Sequence, residues 1–143
     1  MTDDENSPRV GWGLTAREAR ELRISLSPEQ RKRVEGRVEE LLSLFGKAHT
    51  ISILSEFAFA DDPLRFSELE SALGIAPNTL STRLQELTDA GLLTRQQYNE
   101  VPPRVEYEST RKAEELFPAL GHFHVWAVNR ELDEPVDSYL DSR

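Results

Sequence analysis

Residues 63–110 read PLRFSELESALGIAPNTLSTRLQELTDAGLLTRQQYNEVPPRVEYEST, and two helical periods and one alternating pair of segments lie inside them. Ser67 and Glu70 have capping-box spacing, in which a hydroxyl accepts a backbone N–H and the acid three residues on reaches back. Leu69, Ala72 and Leu73 follow as the inward face of a short helix. Gly74 permits a sharp turn, Ile75 supplies a core plug, and the fixed φ of Pro77 suits a first helical position. From there Leu80, Leu84 and Leu87 recur at i, i+4 and i+7, so they share one buried side. Gly91 stands where a C-terminal glycine closes such a helix. Residues 92–98 and 104–109 alternate well enough to pair as strands, with Asn99, Glu100, Val101, Pro102 and Pro103 as a rigid tip between them.

The side of the second helix opposite the leucines carries Asn78, Thr82 and Gln85, flanked by Thr79 and Ser81. A merely solvated face is the plainer alternative, but such a face more often carries Glu and Lys. Hydroxyls and amides reach base edges and phosphates without the repulsion of a carboxylate. Arg83 lies nearer the core side, where its stem would run along the surface toward a phosphate. Arg95 and Arg104, on the two paired segments, are placed to approach a sugar–phosphate backbone; a plain hairpin with exposed arginines is the competing account. The order of elements is that of a helix-turn-helix (67–90) followed by a wing (92–109).

Outward from this unit, Ser27, Pro28 and Gln30 mark a strong helix start. Val34, Val38, Leu41 and Phe45 then form one stripe, widened by Leu42. That stripe needs cover, either from the chain's own core or from a second copy. Residues 50–60 are apolar almost all round, as expected of a buried first helix. After Thr110 a single helix is expected over 111–132, with Leu116, Leu120 and Phe123 on one stripe and Trp126 off it. Apolar residues on more than one face suggest a second packing partner, most simply the same helix of another copy. Residues 1–26 read as an arm, disordered or partly helical, with a short helix over 16–22 that Thr15 and Glu18 would cap. Residues 133–143 read as a frayed acidic tail. The expected class is mainly α with a small β-hairpin, in one domain over 27–132.

The chain has 143 residues, a net charge of −9 and no cysteine. Nucleic-acid affinity rests largely on neutralised phosphates, so the sign is awkward for a DNA binder. The distribution softens this: residues 63–112 carry 6 basic and 7 acidic groups, whereas 113–143 carry 2 and 7. Only Lys32, Lys47 and Lys112 are lysines among 17 basic residues. Acid-rich, lysine-poor surfaces suit high internal salt, where repulsion is screened, although an ordinary acidic protein has this composition too. Without cysteine there is no disulfide framework, thiolate site or thiol switch. His122 and His124 are two apart on a helix and diverge, so no metal is expected; His49 is alone and reads as structural. No phosphate-binding loop or nucleophile elbow is present, so neither catalysis nor a cofactor is expected. With no apolar run of membrane-spanning length and no secretory signal, a cytoplasmic location is expected.

Residues 63–69 (PLRFSEL), 80–87 (LSTRLQEL), 89–93 (DAGLL) and above all 100–107 (EVPPRVEY) resemble the HxlR-type winged helix-turn-helix transcriptional regulators. Phe45-Gly46 and 50–54 (TISIL) resemble that family's first core helix. The resemblance covers roughly residues 35–127 and extends to haloarchaeal branches of the family. It implies a homodimer built from the N-terminal and last helices, with Val34, Val38, Leu41, Leu42, Phe45, Leu116, Leu120, Phe123 and Trp126 at the interface. It implies double-stranded DNA as partner, with a recognition helix over 77–90 and wing contacts from 98–104. Arg65, Ser67, Pro77, Asn78, Thr79, Ser81, Thr82, Arg83, Gln85, Arg95 and Arg104 form the expected DNA set. Three departures stand out: many members have a cysteine before the first helix, a lysine where this chain has Asn78, and a tryptophan where it has His49. Regulators of this shape often hold a small-molecule effector between the dimer helices, and no residue here marks one. A winged-helix module that binds protein and has lost DNA is the alternative.

Overall fold

The computed structural model describes Arg9, Val10 and residues 14–140, and divides the chain into two compact units. One is Gly36–Phe117, and the other joins Met1–Glu35 to Pro118–Arg143.

The Gly36–Phe117 unit holds the C-terminal part of α2 (Pro28–Phe45), then α3 (Thr50–Ala58), a two-residue strand β3 (Leu64–Arg65), α4 (Phe66–Leu73), α5 (Pro77–Asp89), β4 (Leu93–Tyr98), β5 (Arg104–Ser109) and α6 (Arg111–Glu114). Its core gathers Ile53, Leu54 and Phe57 of α3, Leu69 of α4, Leu80, Leu84 and Leu87 of α5, and Leu92, Leu93 and Tyr107 from the wing. The leucine period of α5 is thus wholly inward. The sheet has three strands rather than the expected two, in the order β3-β5-β4, all antiparallel. Leu64 pairs with Tyr107 and Arg65 with Glu106. A two-residue segment is too short to show alternation, so β3 is invisible in the sequence.

The helix ends follow from local chemistry, with one correction. α4 starts at Phe66, not after Ser67, and the Glu68 carboxylate accepts from the Arg65 backbone N–H at 3.1 Å. Pairing of Arg65 with β5 fixes the chain direction there and moves the start upstream. Gly74 takes φ 62° and makes the turn into α5. At the other end of α5, Gly91 (φ 76°) donates to Thr88 O and Leu92 to Leu87 O, the paired bonds of a Schellman ending. Thr110 Oγ1 donates to Gly91 O at 2.7 Å and accepts from Ala113 N at 3.2 Å, so one hydroxyl caps α6 and holds the end of α5.

The other unit contains a two-strand ladder, β1 (Arg9–Val10) with β2 (Leu14–Thr15), then α1 (Ala16–Ser25), the start of α2, most of α7 (Phe117–Glu131), and α8 (Val136–Leu140). The Thr15–Glu18 capping box forms, and α1 runs three residues beyond the expected end. The Ser27–Gln30 box of α2 forms as well. The arm expected over 1–14 otherwise lies outside the described residues. The single helix expected over 111–132 is two: Pro118 lacks the N–H that would bond back to Glu114, so α6 stops and α7 begins afresh. Leu116 falls in the break between them. The tail expected to fray instead forms α8, with Ser138 donating to Glu134 and to Pro135 O; residues 141–143 lie outside the description.

Candidate nucleic-acid interface

α5 is held from behind by three leucines, so its opposite side faces solvent by necessity. Pro77, Asn78, Ser81, Thr82 and Gln85 are exposed, and Thr79 is half-buried. Thr82 Oγ1 donates to Asn78 O at 2.9 Å and keeps lone pairs outward; Gln85 Nε2 donates to Asp89 at 2.8 Å and keeps its carbonyl. The face therefore offers hydroxyls and amides on a rigid helix.

The one basic residue of α5 is turned away from that face. Arg83 donates Nε–H to Ala48 O at 2.9 Å and Nη1–H to Glu86 at 2.6 Å. Lys47 pairs with the same Glu86 carboxylate. The phosphate role expected of Arg83 meets a guanidinium already engaged within the fold. Its anchor is the turn between α2 and α3, where His49 adopts a left-handed backbone (φ 72°). Histidine is among the few non-glycine residues enriched there. The structural reading of His49 thus has a cause, since it turns the chain to present the Ala48 carbonyl.

The Lys47 hydrogen bond beside Glu86 holds its carboxyl below the ordinary value of 4.5; burial opposes this, and the Arg83 hydrogen bond and both cations reinforce it. A carboxyl depressed in the folded state stabilises above its unfolded pKa and loses that contribution as pH falls through its folded value. Glu86→Gln should therefore be less stable than the parent at pH 7, with the gap narrowing once pH drops below about 4.5. Paired urea melts over pH 3–7 check this, and a gap that ignores pH would refute it.

On the wing, Arg95 is exposed, with Nη1 3.5 Å from the Gln97 amide oxygen. Arg104 is 28% exposed by side chain and lies over the Tyr98 ring at 4.2 Å. Glu100 stands 3.3 Å from its Nη2 and Glu106 3.4 Å from its Nε. Tyr98 and Arg104 are register partners across the hairpin, which brings ring and guanidinium together. Arg65 and Ser67, both exposed, line a cleft of about 420 Å³ with the wing tip from Glu100 to Val105. The structure thus places Arg65, Ser67 and Arg104 around one opening in the recognition unit and leaves Arg95 on the sheet. The sequence reading missed Lys47, Glu86, Glu100, Glu106 and Tyr98. The i, i+3 spacing of Arg83 and Glu86 and the i, i+2 spacing of Arg104 and Glu106 were available signals.

Of the expected dimer residues, Val34, Val38 and Leu42 on α2 and Phe123 and Trp126 on α7 are exposed large side chains. Leu41, Phe45 and Leu116 are half-buried, and Leu120 is buried within a single chain, where it can only support a surface. Arg130 lies over Trp126 at 5.7 Å. No helix among the described residues is long and apolar enough to cross a membrane.

Residues 44–134 match the HxlR-like helix-turn-helix family. A helix-turn-helix transcriptional regulator of Halalkalibacterium halodurans is 43% identical over 94 residues, covering 63% of this chain and 80% of its own. Another, YvaP of Bacillus subtilis, is 36% identical over 106 residues, covering 73% and 93%. Among solved structures, the reduced form of the transcriptional regulator YodB from B. subtilis superposes with a TM-score of 0.57 at 26% identity, covering 76% of this chain and 98% of that one. An exposed, uncharged helix face on a buried leucine period, a wing beside it and this kinship have one meaning: the chain belongs to the HxlR-like helix-turn-helix family and is a DNA-binding transcriptional regulator.

Proposed function

We propose that the protein acts as a homodimer that sets one α5 from each copy into successive major grooves, about 34–36 Å apart, on a pseudo-palindromic site. Asn78, Ser81, Thr82 and Gln85 read base edges, with Pro77 and Thr79 at the groove margin. Arg65, Ser67, Arg95 and Arg104 meet the sugar–phosphate backbone. Val34, Val38, Leu42, Phe123 and Trp126 meet a second copy. The observation that carries the reading is the outward face of α5 from Asn78 to Gln85, which is exposed, neutral and rich in donors and acceptors, with Asp89 as a carboxylate only at its C-terminal end. The low lysine content supports a setting of high internal salt, where loss of phosphate attraction matters least.

A mobility-shift titration with the DNA upstream of the protein's own gene, run from low salt to molar KCl, tests this. Binding above that of random DNA at some salt is expected. Its absence at every salt would leave the protein-interaction reading, which the internal pairing of Arg83 and Arg104 favours. Within the DNA reading, Asn78→Ala or Thr82→Ala should shift sequence preference by about 1–3 kcal/mol at single base pairs. Arg95→Ala should instead weaken all sequences alike and reduce the salt slope by about one. Selection from a randomised duplex pool separates the two, and identical effects from all three substitutions would contradict the assignment.

A further inference from the structure

Two carboxylates hold Arg104 without satisfying it. Glu100 and Glu106 stand 3.3 and 3.4 Å from its nitrogens, yet neither contact completes a hydrogen bond, and Nε is buried with no hydrogen-bond partner. The five N–H donors of a guanidinium match the oxygens of a phosphate far better than two poorly aimed carboxylates. The guanidinium carbon packs over the Tyr98 ring at 4.2 Å, which restricts where the group can move. Beside it opens the 420 Å³ cleft, where Arg65 and Ser67 share the lining with Glu100 and Arg104. Glu100 is the more exposed of the two acids, at 52% against 18% for Glu106. It sits on the wing tip, beside fully exposed Val101.

We propose that Glu100 is an internal stand-in for a DNA phosphate, one that occupies Arg104 in the free protein and gives it up when the backbone enters the cleft. The exchange rests on the wing contact proposed above and adds to it. Each wing then gains less from DNA than its arginine suggests, because a carboxylate pairing is lost as a phosphate pairing forms. The freed Glu100 also takes up a cation as the phosphate sheds one, which flattens the salt dependence. Glu106 keeps its place beneath the guanidinium.

Fluorescence anisotropy of the full chain on a fixed mixed-sequence DNA duplex, over a KCl series, tests the exchange. Glu100→Gln should tighten binding about two- to fivefold at low salt, the range of a half-exposed ion pair. It should steepen the slope of log K against log salt by up to about 0.9, the increment for one phosphate. Glu108→Gln, at an exposed wing carboxylate with no ion pair among the described residues, serves as the control for simple loss of negative charge and should give a smaller gain. In an Arg104→Ala background the Glu100→Gln gain should fall to that of the Glu108→Gln control. An equal gain in that background would overturn the exchange and leave only general repulsion. Weaker binding by Arg104→Ala with no gain from Glu100→Gln would overturn the exchange while keeping the wing contact. No effect from Arg104→Ala would remove the wing contact itself, and the exchange with it. Thermal melts of each variant, with Arg104→Lys as a charge-preserving second arm, guard against a collapsed tip; Arg104→Lys should retain part of the gain.

Discussion

Val38→Asp should leave the single chain folded, abolish the proposed dimer, and lower affinity for a two-half-site duplex by about a hundredfold or more. Val38 is 46% exposed, so in one copy the new carboxylate stays in water and costs little. In an interface of apolar α2 side chains it would be buried without a partner, at several kcal/mol. Loss of the second copy removes the linkage that makes the second half-site contact intramolecular, an advantage of about 10²–10⁴. Light scattering reports the mass and a mobility shift the affinity. A dimeric Val38→Asp protein would place Val38 outside the interface. A parent that scatters as a 16.3 kDa particle at micromolar concentration and high salt would dismiss the dimer.

Leu84→Ala carries the second large effect, and it falls on stability. The side chain is 0% exposed in the middle of the α5 period, between Leu80 and Leu87. Truncating such a leucine removes its transfer free energy and leaves a hole, together about 2–5 kcal/mol. Against a total of about 5–15 kcal/mol this is a large share, and a fall in Tm on the order of 10 °C should follow. Thr82→Ala, two residues away on the exposed side, should change Tm by a degree or two. Urea and thermal melts of the pair decide it, and a loss below about 1 kcal/mol for Leu84→Ala would mean that the leucine side of α5 is not a packed core.

How much of this was legible depends on the range over which each cause acts. The leucine period of α5, Gly74, Pro77 and Gly91 act within one or two turns, so the helix-turn-helix from Gly74 onward could be read directly, whereas the start of α4 at Phe66 could not, because pairing of Arg65 with β5 sets it. The wing could be read from two alternating runs, but β3 could not, because its only reason for being extended is Tyr107, some forty residues on. The apolar stripe after Thr110 continues past Pro118 and implies one helix; the missing N–H outweighs the stripe, and the chain breaks there. The candidate face on α5 was visible as residue types. The fate of the arginines was not, since Arg83 is claimed by a carbonyl thirty-five residues upstream and Arg104 by neighbours that the hairpin register selects.

The inward turn of Arg83 has a consequence for how the protein shares itself among the many DNA segments of a cell. Weak binding to arbitrary sequence comes almost wholly from cations on phosphates. A recognition helix whose single cation faces home contributes little to that background. A genome presents roughly 10⁶–10⁹ decoy sites, so what fills an operator is the contrast between right and wrong sequence rather than affinity alone. With its arginine on the Ala48 carbonyl, α5 would give up grip on every sequence equally and so keep fewer molecules idle on decoys. In the proposed binding mode, occupancy of the correct site would then rest on the hydroxyls and amides of α5.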